Sequence, residues 1–135
     1  MIDLNKVKRF NKKDRTVLIR FDLNVPLDSE ELHKSERIIR IKKSILKLTS
    51  LNSKIIILSH VGRPKGTSSN DLSLKQLIEP LKKALNKDIE FISDCIGVDV
   101  KNKISETDSS KIILLENCRF YSEEEANDDG FAESL

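Results

Sequence analysis

Thr16-Val17-Leu18-Ile19-Arg20-Phe21-Asp22-Leu23-Asn24-Val25-Pro26 joins a nearly continuous β-branched and aliphatic run to a polar turn closed by proline. Such a run predicts a strand buried on both faces, as in parallel sheets, and the proline stops any ladder there. Asp22 and Asn24 suit the loop that follows. Next along the chain the period changes. Ile38, Ile41, Ile45 and Leu48 recur at helical intervals, with Arg37, Arg40, Lys43 and Lys47 on other faces and Ser35 at the N-cap position. Residues 54–59 predict a second strand, closed by His60-Val61-Gly62-Arg63-Pro64-Lys65-Gly66. Ser73 opens another helix with the stripe Leu74, Leu77, Ile78, Leu81 and Leu85, and Gln76 completes a capping box with it. Pro80 interrupts that stripe and predicts a kink or a later start. Residues 89–92 form a third expected strand, 95–104 a short helix and 111–115 a fourth strand. A polar stretch at 122–130 then precedes a helical start at Phe131. The βαβαβαβ order with short connections predicts an α/β fold: a Rossmann-like, three-layer parallel sheet with helices on both faces.

Composition narrows the function. The 135 residues carry 24 Lys plus Arg against 22 Asp plus Glu, a net charge of +2 with the signs interleaved. That balance provides no broad field for nucleic acid or a membrane surface, so any anion site must arise from local placement. The longest aliphatic runs, Ile55-Ile56-Ile57-Leu58 and Ile112-Ile113-Leu114-Leu115, are far too short to span a bilayer. Residues 1–15 mix charges without the apolar block of a secretory signal, and the expected location is the cytoplasm. Cys95 and Cys118 lack metal-ligand spacing and read as reduced, half-buried thiols.

The loops after successive strands carry a convergent polar set. Asp22 and Asn24 follow the first strand, His60 and Arg63 the second and Arg119 the fourth, while Arg37 lies near the start of the first helix. In an open parallel sheet those loops share one rim, where ligands bind. Several guanidinium forks with an imidazole suit a small, multiply charged anion. Taken singly, each has a plainer reading. Arg37 is a solvated helix residue, Asp22 and Asn24 are turn formers, His60 is a core histidine and Arg119 is a surface arginine stacked beside Phe120 and Tyr121. Only the shared rim raises the group above these. The glycines at 62 and 66 do not make a P-loop, because Gly66 is followed by Thr67 rather than lysine, and no G-x-G-x-x-G occurs.

At these residues the sequence resembles the phosphoglycerate kinases. Arg20-Phe21-Asp22-Leu23-Asn24-Val25-Pro26 is similar to the family's R-x-D-x-N-V-P signature. Ser59-His60-Val61-Gly62-Arg63-Pro64-Lys65-Gly66 is similar to its S-H-L-G-R-P-x-G. Glu36-Arg37-Ile38, Asp94-Cys95-Ile96-Gly97, the 114–121 segment and Asn127-Asp128-Asp129-Gly130-Phe131-Ala132 follow in order. The resemblance implies reversible phosphoryl transfer between ATP and the carboxylate of 3-phosphoglycerate, giving 1,3-bisphosphoglycerate, in a usually monomeric enzyme. By motif position, Asp22 and Asn24 would meet the substrate's hydroxyl and carboxyl end. His60, Arg63 and Arg119 would surround its phosphate, and Arg37, the catalytic candidate, would stabilise the transferring phosphoryl.

Family members are much longer, so residues 1–135 are expected to be an incomplete, truncated N-terminal domain that holds the glycerate. The site for Mg-ATP or Mg-ADP is expected in a C-terminal domain outside this chain, leaving the isolated chain inactive. Ile39, where a basic residue is usual, Lys43, where proline is frequent, and Pro80 depart from the family pattern. An alternative is a non-catalytic anion-binding or interaction module, not stably folded alone, whose unfinished sheet leaves an open edge prone to aggregation.

Overall fold

The structure, a computed structural model, describes residues 13–135. The non-secretory reading of residues 1–15 falls largely on residues 1–12, outside the described residues. Four parallel strands, β1 (Thr16–Arg20), β2 (Lys54–Leu58), β3 (Ile89–Ile92) and β4 (Ile112–Leu115), form one sheet in the order β1-β2-β4-β3. The crossovers contain α1 (Glu36–Ser50), α2 (Ile78–Leu85) and α3 (Val98–Glu106), and α4 (Ser122–Glu125) and α5 (Asp129–Ser134) follow the last strand. No described helix is long and apolar enough to cross a membrane.

Strand alternation divides the core in two. Val17, Ile55, Ile57, Ile89, Ile112 and Leu114 face one side, where they meet Ile38, Ile41, Ile45 and Leu48 of α1 and Leu81 and Leu85 of α2. Ile56, Leu58, Ile92, Ile113 and Leu115 face the other and pack with Val100 of α3 and both cysteines. Helices on both faces of a parallel sheet are therefore present, as the element order predicts.

The first strand differs from its expected burial. It has one neighbour, β2, and helix cover on one face only, so Val17 is buried while Leu18 is 41% exposed. β2 and β4 lie inside the sheet and are the strands buried on both faces. An apolar run alone does not distinguish an edge from a centre, because that depends on neighbours far away in sequence.

Local chemistry corrects several helix starts. Ser35 precedes α1, but its side chain makes no capping bond. Residues Leu74–Leu77 form a 3-10 turn before α2, which places Pro80 in the first α-helical turn, where a missing N–H leaves no helical bond unmade. This is the later start. The capping box does not form: Ser73 Oγ accepts from Lys75 N, while Gln76 Nε2 donates to the carbonyls of Asn70, Asp71 and Ser73. α3 begins at Val98 rather than Cys95, after Gly97 in a positive-φ conformation. α5 begins at Asp129, before Phe131, because the Asp128 carboxylate accepts from Phe131 N at 2.8 Å. Both cysteines are fully buried free thiols rather than half-buried ones. Burial pushes both up, Cys118 to about 11, so neither is a nucleophile at neutral pH.

Candidate functional site

The carboxyl ends of β1, β2 and β4 are laced by buried polar side chains. Ser59 Oγ accepts from Leu23 N at 3.1 Å and donates to the Phe21 carbonyl at 2.7 Å, fastening the first loop to the second. Cys118 N donates to the Ser59 carbonyl at 3.0 Å. Asn117, fully buried, donates from Nδ2 to the carbonyls of Val61 and Leu72, each at 2.9 Å, and accepts from Arg119 N at 3.0 Å. The Glu116 carboxylate accepts from Ser73 Oγ, Leu74 N and Asn117 N. Three loops thus become one rim, as preorganised binding requires.

Gly62 and Gly66 allow the close approaches in that rim. Both have positive φ, and a Cβ on Gly62 would lie 2.7 Å from Leu72 Cδ2. A Cβ on Gly66 would lie 2.9 Å from Ser122 Cβ and 3.2 Å from Ser122 N, where backbone cannot yield cheaply. A hollow of about 450 Å³ opens beside the rim, lined in part by Asn24, Pro26, Val61, Gly62 and Leu72.

The six candidates fall into two groups plus one separate cation. Asp22 pairs with Arg37 across the first loop and α1, and its carboxylate also accepts from Asn24 N at 3.2 Å. Asn24 Oδ1 accepts from Gly62 N at 2.9 Å, which joins this group to the second loop. The other group contains His60 and Arg119, in the field of Arg20 and Glu124. Arg63 is exposed, and among the described residues its side chain has no hydrogen bond or ion pair. The Asp22–Arg37 pair occupies the two side chains with one another.

His60, in the second group, also feels the charge of Asp22 in the first. Its Nδ1 is buried and has no hydrogen-bond partner among the described residues. Burial, then the charges of Arg119 and Arg20, hold its pKa below the ordinary 6.5, against the opposing pull of Glu124 and Asp22. Between that depressed value and 6.5 the unfolded chain binds a proton that the folded protein resists, so stability falls as pH drops through this window. The expected result is a denaturation midpoint that declines from pH 7 to pH 5 more steeply in the wild type than in His60→Gln. Parallel profiles for the two proteins overturn it.

Sequence reasoning missed Arg20, Glu124, Glu116, Asn117 and Ser59 as parts of this rim. Arg20 had a signal, as the one charged side chain in an otherwise apolar strand run. Glu124 had none, standing in an acidic stretch where any one carboxylate looks like its neighbours.

A sequence-family model described as phosphoglycerate kinase matches residues 7–135. The phosphoglycerate kinase of Wolbachia pipientis subsp. Culex pipiens is 43% identical over 135 residues, covering all of this chain and 34% of its own. That of Brucella suis is 41% identical over 125 residues, covering 93% of this chain and 32% of its own. The chain therefore spans about a third of the length of the curated relatives it matches. The crystal structure of phosphoglycerate kinase from Pyrococcus horikoshii superposes with a TM-score of 0.78 at 28% identity, over 96% of this chain and 33% of that one. The phosphoglycerate kinase structure from Coxiella burnetii gives 0.66 at 33% identity, over 86% and 28%.

Proposed function

The chain belongs to the phosphoglycerate kinase family, and from that membership we propose that its rim holds 3-phosphoglycerate, or 1,3-bisphosphoglycerate in reverse, during phosphoryl transfer with ATP. The observation that carries this reading is the meeting of His60 with the charges of Arg119 and Arg20, on loops tied together at the carboxyl ends of β1, β2 and β4. His60, Arg63 and Arg119 take the phosphate, and Asp22 and Asn24 take the hydroxyl and carboxyl end. For Asp22 to accept a substrate hydroxyl it must loosen its hold on Arg37. The same exchange frees the Arg37 guanidinium to face the transferring phosphoryl. Such transfer rests on positioning and charge stabilisation more than on covalent help, which suits a site built from arginines.

Mg-ATP or Mg-ADP is the second substrate in this reading. The rim offers no P-loop, and among the described residues no group of three or more His, Cys, Asp or Glu is placed to hold a metal ion. On the family resemblance, its site is proposed to lie outside this rim. Cytoplasmic location, a monomeric state and no nucleic-acid or membrane partner belong to the same proposal.

Calorimetric titration of the 135-residue chain with 3-phosphoglycerate tests it. Arg63→Ala is expected to weaken binding about tenfold, the loss of one charge-assisted contact to phosphate. Equal affinity of the two proteins removes Arg63 from the site. Strongly salt-dependent binding of DNA, in place of the glycerate, would overturn the reading as a whole.

A further inference from the structure

We propose that Glu124 is the positioning residue of this anion site, its carboxylate holding Arg119 and Arg20 in the orientation in which they meet the ligand phosphate. The proposal rests on the phosphoglycerate reading. Glu124 Oε2 accepts from Arg119 Nε at 3.0 Å, and its Oε1 meets Arg20 Nη2 at 2.5 Å. One carboxylate therefore bridges two guanidinium groups that otherwise repel each other beside His60. Glu125 Oε1 lies 3.8 Å from Arg119 Nη1, while no described residue engages Nη2.

Burial distinguishes positioning from competition. A carboxylate that merely substituted for the ligand would lie on the solvent side, yet the Glu124 side chain is 8% exposed, against 25% for Arg119 and 48% for Arg20. It sits behind the guanidinium groups, as a support does. Binding Nε fixes the plane of the Arg119 fork, and a fixed fork loses less rotamer freedom when an anion arrives. The carboxylate stays ionised: burial pushes it up, but hydrogen bonds and charge from Arg20 and Arg119 outweigh this and hold it below the usual range.

The support is itself well anchored. Glu124 belongs to α4, whose start at Ser122 packs against Gly66, and Glu124 N donates to the Tyr121 carbonyl at 3.1 Å. The Tyr121 ring in turn packs on Phe131, with centroids 5.1 Å apart. The lever therefore runs from the α4–α5 segment to the rim at the ends of β1 and β4.

Titration of the 135-residue chain with 3-phosphoglycerate, together with NMR of the arginine Nε–H groups, tests the proposal. Glu124→Gln keeps the shape but presents an amide that accepts from one guanidinium and repels the other. It is expected to weaken binding about tenfold, equal to 1.4 kcal/mol. Glu124→Asp, still charged but too short to reach both arginines, is expected to recover part of that loss. Glu124→Gln added to Arg119→Ala is expected to cost far less than Glu124→Gln alone, since a positioning residue acts through its partner. Unchanged or tighter binding by Glu124→Gln, or losses that add in the double variant, overturns the proposal.

Absence of binding by the wild type overturns the substrate reading instead. The Arg119 Nε–H signal then decides the positioning role by itself: exchange-protected in the wild type and unprotected in Glu124→Gln supports it, and equal protection in both overturns it.

Discussion

Asn117→Ala is expected to lower the unfolding free energy by about 3 kcal/mol and to loosen the rim at the same time. The fully buried amide closes hydrogen bonds to Val61 O, Leu72 O and Arg119 N. Removing it strands two carbonyls and an N–H, each costing roughly 1–3 kcal/mol when left unsatisfied, partly relieved by water entering the space left behind. Asn117→Asp is expected to be at least as damaging, because a carboxylate oxygen replaces the donor facing two carbonyl oxygens. Denaturant unfolding measures the loss. Amide exchange in the 60–72 and 117–121 segments should rise more than exchange in β2 and β4, since the loops lose their tie while the sheet keeps its ladder. A loss below about 1 kcal/mol would show that the tie is dispensable.

Leu114→Ala is expected to cost about 4 kcal/mol, within the range for emptying a well-packed leucine site. Leu114 is fully buried near the middle of β4, paired with Ile57 on one side and Phe91 on the other. Rigid neighbours on both flanks leave little freedom for the cavity to collapse, which is the condition that drives such costs upward. Small domains have roughly 5–15 kcal/mol of stability in all, so this variant should be largely unfolded at modest urea concentrations. Leu18→Ala provides the contrast. Its half-exposed side chain on the open face of β1 should cost well under half as much. Equal losses at positions 18 and 114 would contradict the assignment of β1 to the edge and β4 to the interior.

Much of the fold was legible because apolar runs and helical stripes are local signals. All four strands and the three crossover helices lie close to where the periodicity places them, and the six site candidates sit on the loops that follow β1, β2 and β4 and in the first turn of α1. The errors share a cause. Ser35, Gln76 and Cys95 were read from short-range rules about helix starts, which the folded chain follows at none of the three. The 3-10 turn Leu74–Leu77 is capped at its start by Glu116 from beyond the end of β4, and Pro80 is accommodated because that turn precedes α2. Glu124 had no distinguishing signal, since it stands among like carboxylates and one of its partners, Arg20, comes from the end of β1, far away in sequence.

The chain by itself determined that this is a parallel α/β protein with cationic and polar side chains on the loops after its strands, because two-residue and 3.6-residue periods and turn residues are properties of short segments. Tertiary structure alone decided the strand order. Placing β4 beside β2, ahead of β3, brings Cys118 N onto the Ser59 carbonyl and so sets Arg119 near His60. That adjacency depends on which crossover packs on which face, a balance of buried area and register summed over the whole sheet, and no stretch of sequence contains it.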